Sequence, residues 1–193
     1  MISLLHCQDK CKKYSNNMNI FNSLLDIFKS DDEQMADIMI KAKPKDKEIL
    51  ARTMFGEARG EGKEGMLAVG NVIMNRLKDG RSIYKATDKP ELTGVENIIK
   101  KDKAFSVFNN PQSKDYINMM KPIEEMGTAD KEAYKLALEI SEGLLTGKLK
   151  DNTEGATLYY NPNNVVATPD WAKSWKTSKT KSIGNHDFYI EVK

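Results

Sequence analysis

Glu57 lies in the run Phe55-Gly56-Glu57-Ala58-Arg59-Gly60-Glu61, behind an apolar stretch and between glycines. An apolar setting favours the neutral form of a carboxyl group. A carboxylic acid that keeps its proton near neutral pH can give it to a leaving oxygen. The flanking glycines leave room for a bulky ligand near the backbone. Glu61 is four residues further on and shares a helix face with Glu57 if the helix continues that far. Its like charge would strengthen the tendency of Glu57 to hold a proton. Against this stands the ordinary state of a glutamate, which is solvated on a surface.

A second set of residues suggests what such an acid would act on. Phe105, Phe108, Tyr159, Tyr160, Trp171, Trp175, Phe188 and Tyr189 fall in loop-like segments, accompanied by Asn109, Asn161 and Asn185. Sugar rings have apolar faces and hydroxyl rims, so aromatic rings beside amides suit a carbohydrate groove. Phe188 is better read as core. His186 reads as a packed or hydrogen-bonding histidine and a candidate for the cleft wall; no serine or cysteine nucleophile motif accompanies it. Lys173, Lys176, Lys179 and Lys181 read as a solvated face, or as an attraction for an anionic polymer.

The elements that must hold these groups are mostly helical. Helices are expected from about Asp46 to Arg59, from about Lys63 to Lys78 and from Lys131 to about Thr146, with Gly60, Gly62 and Gly147 as stops. The first two form a hairpin with Glu57 and Glu61 near its bend. Residues 80–130 read as short helices and loops. Short β pieces are expected at Thr157–Pro162 and as one final strand over Ile183–Ile190. Residues 1–45 read as a helical extension ending in the linker Lys41–Lys45, and residues 46–193 as the main domain. The extension is expected to pack on that domain, on a partner or on a second copy; the main domain is expected to act as a monomer.

Composition excludes several classes. Thirty basic and 28 acidic residues leave a net charge of +2, without the strongly basic character of a nucleic-acid binder. No stretch reaches the roughly 18 apolar residues of a membrane span. The N-terminal apolar run is short and lacks a basic leader, so a product of the cytoplasm is expected. Cys7, Cys11 and His6 form a poor metal cluster, since zinc takes four ligands and the only other histidine is His186. Neither a metal nor a cofactor is expected.

The chain resembles the SleB/CwlJ-type cell-wall hydrolases, the spore-cortex-lytic enzymes and their phage relatives. The resemblance rests on Leu50–Glu61, on Gly65–Arg76, on Phe105-Ser106-Val107-Phe108-Asn109 and on Gly155–Pro162. Trp171-Ala172 and Ile183–Tyr189 complete the order, and the whole covers about residues 48–190. Two positions depart from the pattern: Ala104, where members often have glutamine, and Leu158, where many phage-type relatives have histidine.

The resemblance implies an α+β, mainly α, lysozyme-like fold of the lytic transglycosylase and resuscitation-promoting-factor type, with small β elements near the C-terminus. It implies peptidoglycan as substrate and one glutamate as general acid, which by motif position is Glu57, with Glu61 the next candidate. Phe105, Ser106, Asn109, Tyr159, Tyr160, Asn161, Trp171 and His186 are the expected substrate contacts. Two carboxylates on one helix face do not flank a glycosidic bond as a hydrolytic pair does. The expected reaction is therefore lytic transglycosylation between N-acetylmuramic acid and N-acetylglucosamine. Hydrolysis by a muramidase, a wall-binding or virion structural role, and a zinc amidase are the alternatives. A phage endolysin released through a holin is the expected setting, with virion-carried and spore-associated enzymes as the others.

Overall fold

The computed structural model describes residues 43–86 and 91–192. The expected helical extension, and with it His6, Cys7 and Cys11, lies outside the described residues except for its last three positions.

Helix α1 runs over Pro44–Ala58. Pro44 begins it rather than sitting in a linker, because the first helical position needs no amide hydrogen and suits the fixed φ of proline. The Asp46 carboxylate accepts the Lys43 N–H at 2.7 Å and the hydroxyl of the distant Thr93, tying this end to the middle of the chain. Leu50, Ala51, Met54, Phe55 and Ala58 are buried at helical spacing. A 3-10 turn over Arg59–Glu61 follows, then α2 over Gly62–Asp79. Gly62 takes φ +66°, a left-handed value that lets the chain reverse between the helices.

Short elements cross the middle of the chain. These are α3, Gly94–Ile99, capped by Thr93, a 3-10 turn over Ser106–Phe108, and α4, Lys114–Met120. Helix α5 spans Thr128–Leu145, with Tyr134, Ala137, Ile140 and Leu144 buried. Helices α1, α2 and α5 meet at Gly70, where a Cβ would lie 2.5 Å from Leu144 Cδ1 and 2.6 Å from Met54 Sδ. Glycine here leaves room for the ends of both side chains, which a Cβ would displace.

The C-terminal part is an antiparallel sheet of order β1-β3-β2, made of β1 (Leu158–Tyr160), β2 (Thr177–Ile183) and β3 (His186–Glu191). The single strand expected over 183–190 is instead the tip of a hairpin plus β3. Ile183 pairs with His186 across the two-residue turn Gly184-Asn185, with Gly184 at φ +57°. Ala68 and Val72 of α2 pack against Ala156 and Phe188, with Tyr159 and Ile183 at the margin. A polar edge of α2 secures the chain leading into β1. Asn75 Nδ2 donates to Asp151 Oδ2 at 2.9 Å and to the Ala156 carbonyl at 3.0 Å, and Arg76 Nε donates to the Thr157 carbonyl at 2.7 Å. These bonds fix where Tyr159 falls relative to the end of α1.

Candidate active site

Glu57 sits in the last turn of α1, half-buried, at the wall of a cleft of about 670 Å³. Its Oε1 accepts the backbone N–H of Val107 at 2.7 Å and the Ser106 hydroxyl at 3.0 Å. Its Oε2 accepts the Tyr159 hydroxyl at 2.9 Å and lies 3.2 Å from the Ser106 hydroxyl. The apolar pocket expected around Glu57 is therefore absent: three donors from two distant parts of the chain face the carboxylate. The amide of Val107 can only donate, whereas the two hydroxyls can donate or accept. Oε2 and its hydroxyl neighbours thus accommodate both an acid and a carboxylate. Oε1 stays anchored to the backbone.

Tyr159 is held by its surroundings. It stacks on Phe188 at 5.7 Å, meets His186 edge-on at 5.2 Å and lies 6.4 Å from Phe105. Burial pushes its hydroxyl well above the ordinary phenol range, and the neighbouring Glu57 carboxylate adds to the effect. It remains a donor at any physiological pH.

Glu61 occupies a different environment. The α-helix ends at Ala58, and Glu61 closes the 3-10 turn, so the shared α-helical face expected for the two glutamates does not form. Its side chain folds toward the β2–β3 turn. There His186 Nδ1 lies 2.8 Å from Glu61 Oε1, off the line of a hydrogen bond, and the two side chains are 10% and 9% exposed. Glu61 Oε2 is buried without a hydrogen-bond partner among the described residues. Two glycines make the space: a Cβ on Gly184 or on Gly65 would collide with the Glu61 side chain.

Of the other expected contacts, Ser106, Asn109, Tyr160, Asn161 and His186 line the same cleft. Phe105 does not. It is 2% exposed and packs beneath the cleft, with the Arg76 guanidinium 5.2 Å from its ring. Trp171 also lies outside the lining and packs edge-on against Tyr160 at 5.7 Å and Tyr189 at 5.4 Å. Both rings support the wall of this cleft through a neighbour, Phe105 through Tyr159 and Trp171 through Tyr160. The lysine run lies on β2 and the turn before it; Lys179 pairs with Asp187 at 2.6 Å.

Arg76, Lys103 and Asn164 line the cleft without having been singled out by sequence pattern. Arg76 sits in the last turn of α2, where a basic residue is ordinary, so nothing in its position revealed that it is buried. Burial lowers Arg76 from the ordinary guanidinium value, against the raising influence of Tyr159, Tyr84, Glu191 and Glu57. Among the described residues no cluster of His, Cys, Asp and Glu is arranged to hold a metal ion. Glu57 and Glu61 are the carboxylates that line the cleft.

Residues 60–189 match the profile of a family described as Cell Wall Hydrolase. The chain is 32% identical over 143 residues to a spore cortex-lytic enzyme of Halalkalibacterium halodurans, a match that takes in 74% of this chain and 34% of that protein. It is 47% identical over 67 residues to the cell wall hydrolase CwlJ of Bacillus subtilis, covering 35% of this chain and 44% of the relative. The chain thus spans less than half the length of these curated relatives. Among solved structures, it resembles the catalytic domain of the Bacillus cereus SleB protein with a TM-score of 0.50 and 26% identity, over 77% of this chain and 91% of that one. The catalytic domain of the germination-specific lytic transglycosylase SleB from Bacillus anthracis matches with a TM-score of 0.50 and 27% identity, over 77% and 97%. Helices with a small C-terminal antiparallel sheet form the lysozyme-like architecture of these domains, which is the fold class expected from sequence.

Proposed function

This chain belongs to the cell wall hydrolase family, and on that premise we propose that it cuts the glycan strand of bacterial peptidoglycan as a lytic transglycosylase, with Glu57 as its acid and base. The observation that carries the reading is the unequal setting of the two cleft carboxylates. Glu57 is oriented by Ser106, Val107 and Tyr159, whereas Glu61 is engaged with His186. A hydrolytic pair would need a second carboxylate, placed across the scissile bond, to direct water or attack C1. Glu61 is turned toward the β2–β3 hairpin and is poorly suited to that task. The likeness to a lytic transglycosylase domain supports the same choice.

In the first step the Glu57 carboxyl gives its proton to the oxygen linking N-acetylmuramic acid to N-acetylglucosamine, and the C1–O bond breaks. The resulting carboxylate removes the proton from the muramic C6 hydroxyl. That oxygen bonds to C1, giving a 1,6-anhydro ring and returning Glu57 to its acid form. Water is not consumed. Oε2 is the oxygen suited to carry the proton, because its hydroxyl neighbours can reverse their hydrogen bonds while Val107 fixes Oε1. Arg76 and Lys103 give the cleft a cationic side toward an acidic wall polymer.

Release of soluble fragments from purified peptidoglycan by the wild-type chain, and its loss in Glu57→Gln, tests the assignment. Full activity in the variant would remove Glu57 from the chemistry. Fragments freed only by cutting the amide that joins stem peptide to glycan would indicate an amidase.

A further inference from the structure

A second groove, of about 750 Å³, runs beside the catalytic cleft and is joined to it at Lys103 and Asn109, which line both. Its floor is apolar and aromatic. Phe108 and Tyr116 meet edge to face at 6.2 Å, with Ile99 beneath them and Met120, 43% exposed, at the margin. Its rim is charged and carries Lys100, Lys101, Asp102 and Lys103. Lys100 is already paired with Glu96 at 3.4 Å, but Lys101 and Lys103 make no ion pair among the described residues. Lys103 also has a left-handed backbone, φ +56°, an unfavourable conformation for a residue with a side chain. Strain of that kind concentrates where a segment is shaped for a ligand.

From this juxtaposition we infer that the second groove receives the stem peptide carried by the muramic acid whose glycosidic bond lies at Glu57. The inference rests on the reaction proposed above. A stem peptide combines alanine methyl groups with free carboxylates and, in many walls, the amine of a diamino acid. The aromatic floor suits the methyl groups, Lys101 and Lys103 suit the carboxylates, and Asp102 suits the amine. The two grooves are contiguous at Lys103 and Asn109, and four extended residues span about 14 Å. The groove would thus make the enzyme prefer glycan that still bears its peptides.

The test has a binding arm and a rate arm. A soluble tetrapeptide stem is titrated into the ¹⁵N-labelled full chain carrying Glu57→Gln, with and without Lys101→Glu. Saturable shifts at Lys101, Phe108 and Tyr116 are expected, with affinity about tenfold weaker in Lys101→Glu, the loss of one charge-assisted contact. Lys101→Gln serves as a milder variant should Lys101→Glu misfold. The rate arm compares glycan with intact stems against glycan stripped by an amidase. Wild type should favour the intact strand, and Lys101→Glu should reduce that preference about tenfold through KM. No saturable shifts, or equal affinity in wild type and variant, would overturn the inference even if both glycans are cut. Peptide binding at these residues without cleavage of either glycan would uphold the groove and refute the proposed reaction.

Discussion

The Tyr159 hydroxyl donates to Glu57 Oε2 at 2.9 Å, joining the first strand of the sheet to the end of the first helix. The bond spans 102 positions of sequence and depends on the clamp of α2 on the chain before β1. Tyr159→Phe removes the hydroxyl and keeps the ring packing. The expected outcome is a fall in kcat of about tenfold, equivalent to ~1.4 kcal/mol, with thermal stability little changed. Unchanged kcat would mean that the contact does not orient the acid during the reaction.

Glu61 and Glu57 should separate cleanly by stability. Replacing Glu61 with alanine removes the close contact with His186 and leaves an empty cradle, and the expected loss, from the void, is on the order of 1–3 kcal/mol. Glu57→Gln should leave the melting temperature nearly unchanged, because the amide still accepts from Val107. Calorimetry of the two variants checks this. A Glu61→Ala protein as stable as wild type would show that the pair with His186 contributes nothing to the fold.

Gly65 offers a prediction of unusual sign. In an exposed helix interior, glycine to alanine stabilises by roughly 0.5–1 kcal/mol. Gly65 lies in the first turns of α2, and its Cβ would collide with Glu61 Cβ. Gly65→Ala is therefore expected to destabilise and to lower activity by disturbing the β2–β3 turn. Urea unfolding decides the sign.

Acid should weaken the helical part through Glu96. Its ion pair with Lys45 at 2.6 Å, opposed by burial and aided by the Thr93 amide and Lys100, brings its pKa down to about 2. A carboxyl depressed in the folded state stabilises above its unfolded value of about 4.5, and that contribution fades as pH falls toward about 2. Melting temperatures measured between pH 5 and pH 2.5 should fall for wild type and fall less for Glu96→Gln. Parallel curves would contradict the assignment.

Much of this was legible in the chain. Apolar spacing gave α1, α2 and α5 to within a few residues, because each buries one continuous face. The hairpin that brings Glu57 and Glu61 to one cleft followed from the glycines at its bend. The separate settings of the two glutamates did not, since they depend on where α1 stops and on a residue 125 positions after Glu61, His186. Aromatic residues in loops pointed to a groove, but their type does not tell a ring that lines it from one that supports it. Tyr160 lines the cleft and Trp171 packs behind it. The β2 strand was obscured by its lysines, which read as a solvated run because the strand lies at the edge of the sheet, with little burial to reveal its period.

In the proposed mechanism one oriented carboxylate breaks the glycosidic bond without water. Mass spectrometry of the muropeptides released from purified peptidoglycan by wild type and by Glu57→Gln distinguishes this from hydrolysis. Muramic ends lighter than the reducing form by one water are expected, from wild type alone. Reducing ends from wild type, lost in the variant, would contradict that mechanism and require a positioned water or a second carboxylate in the cleft.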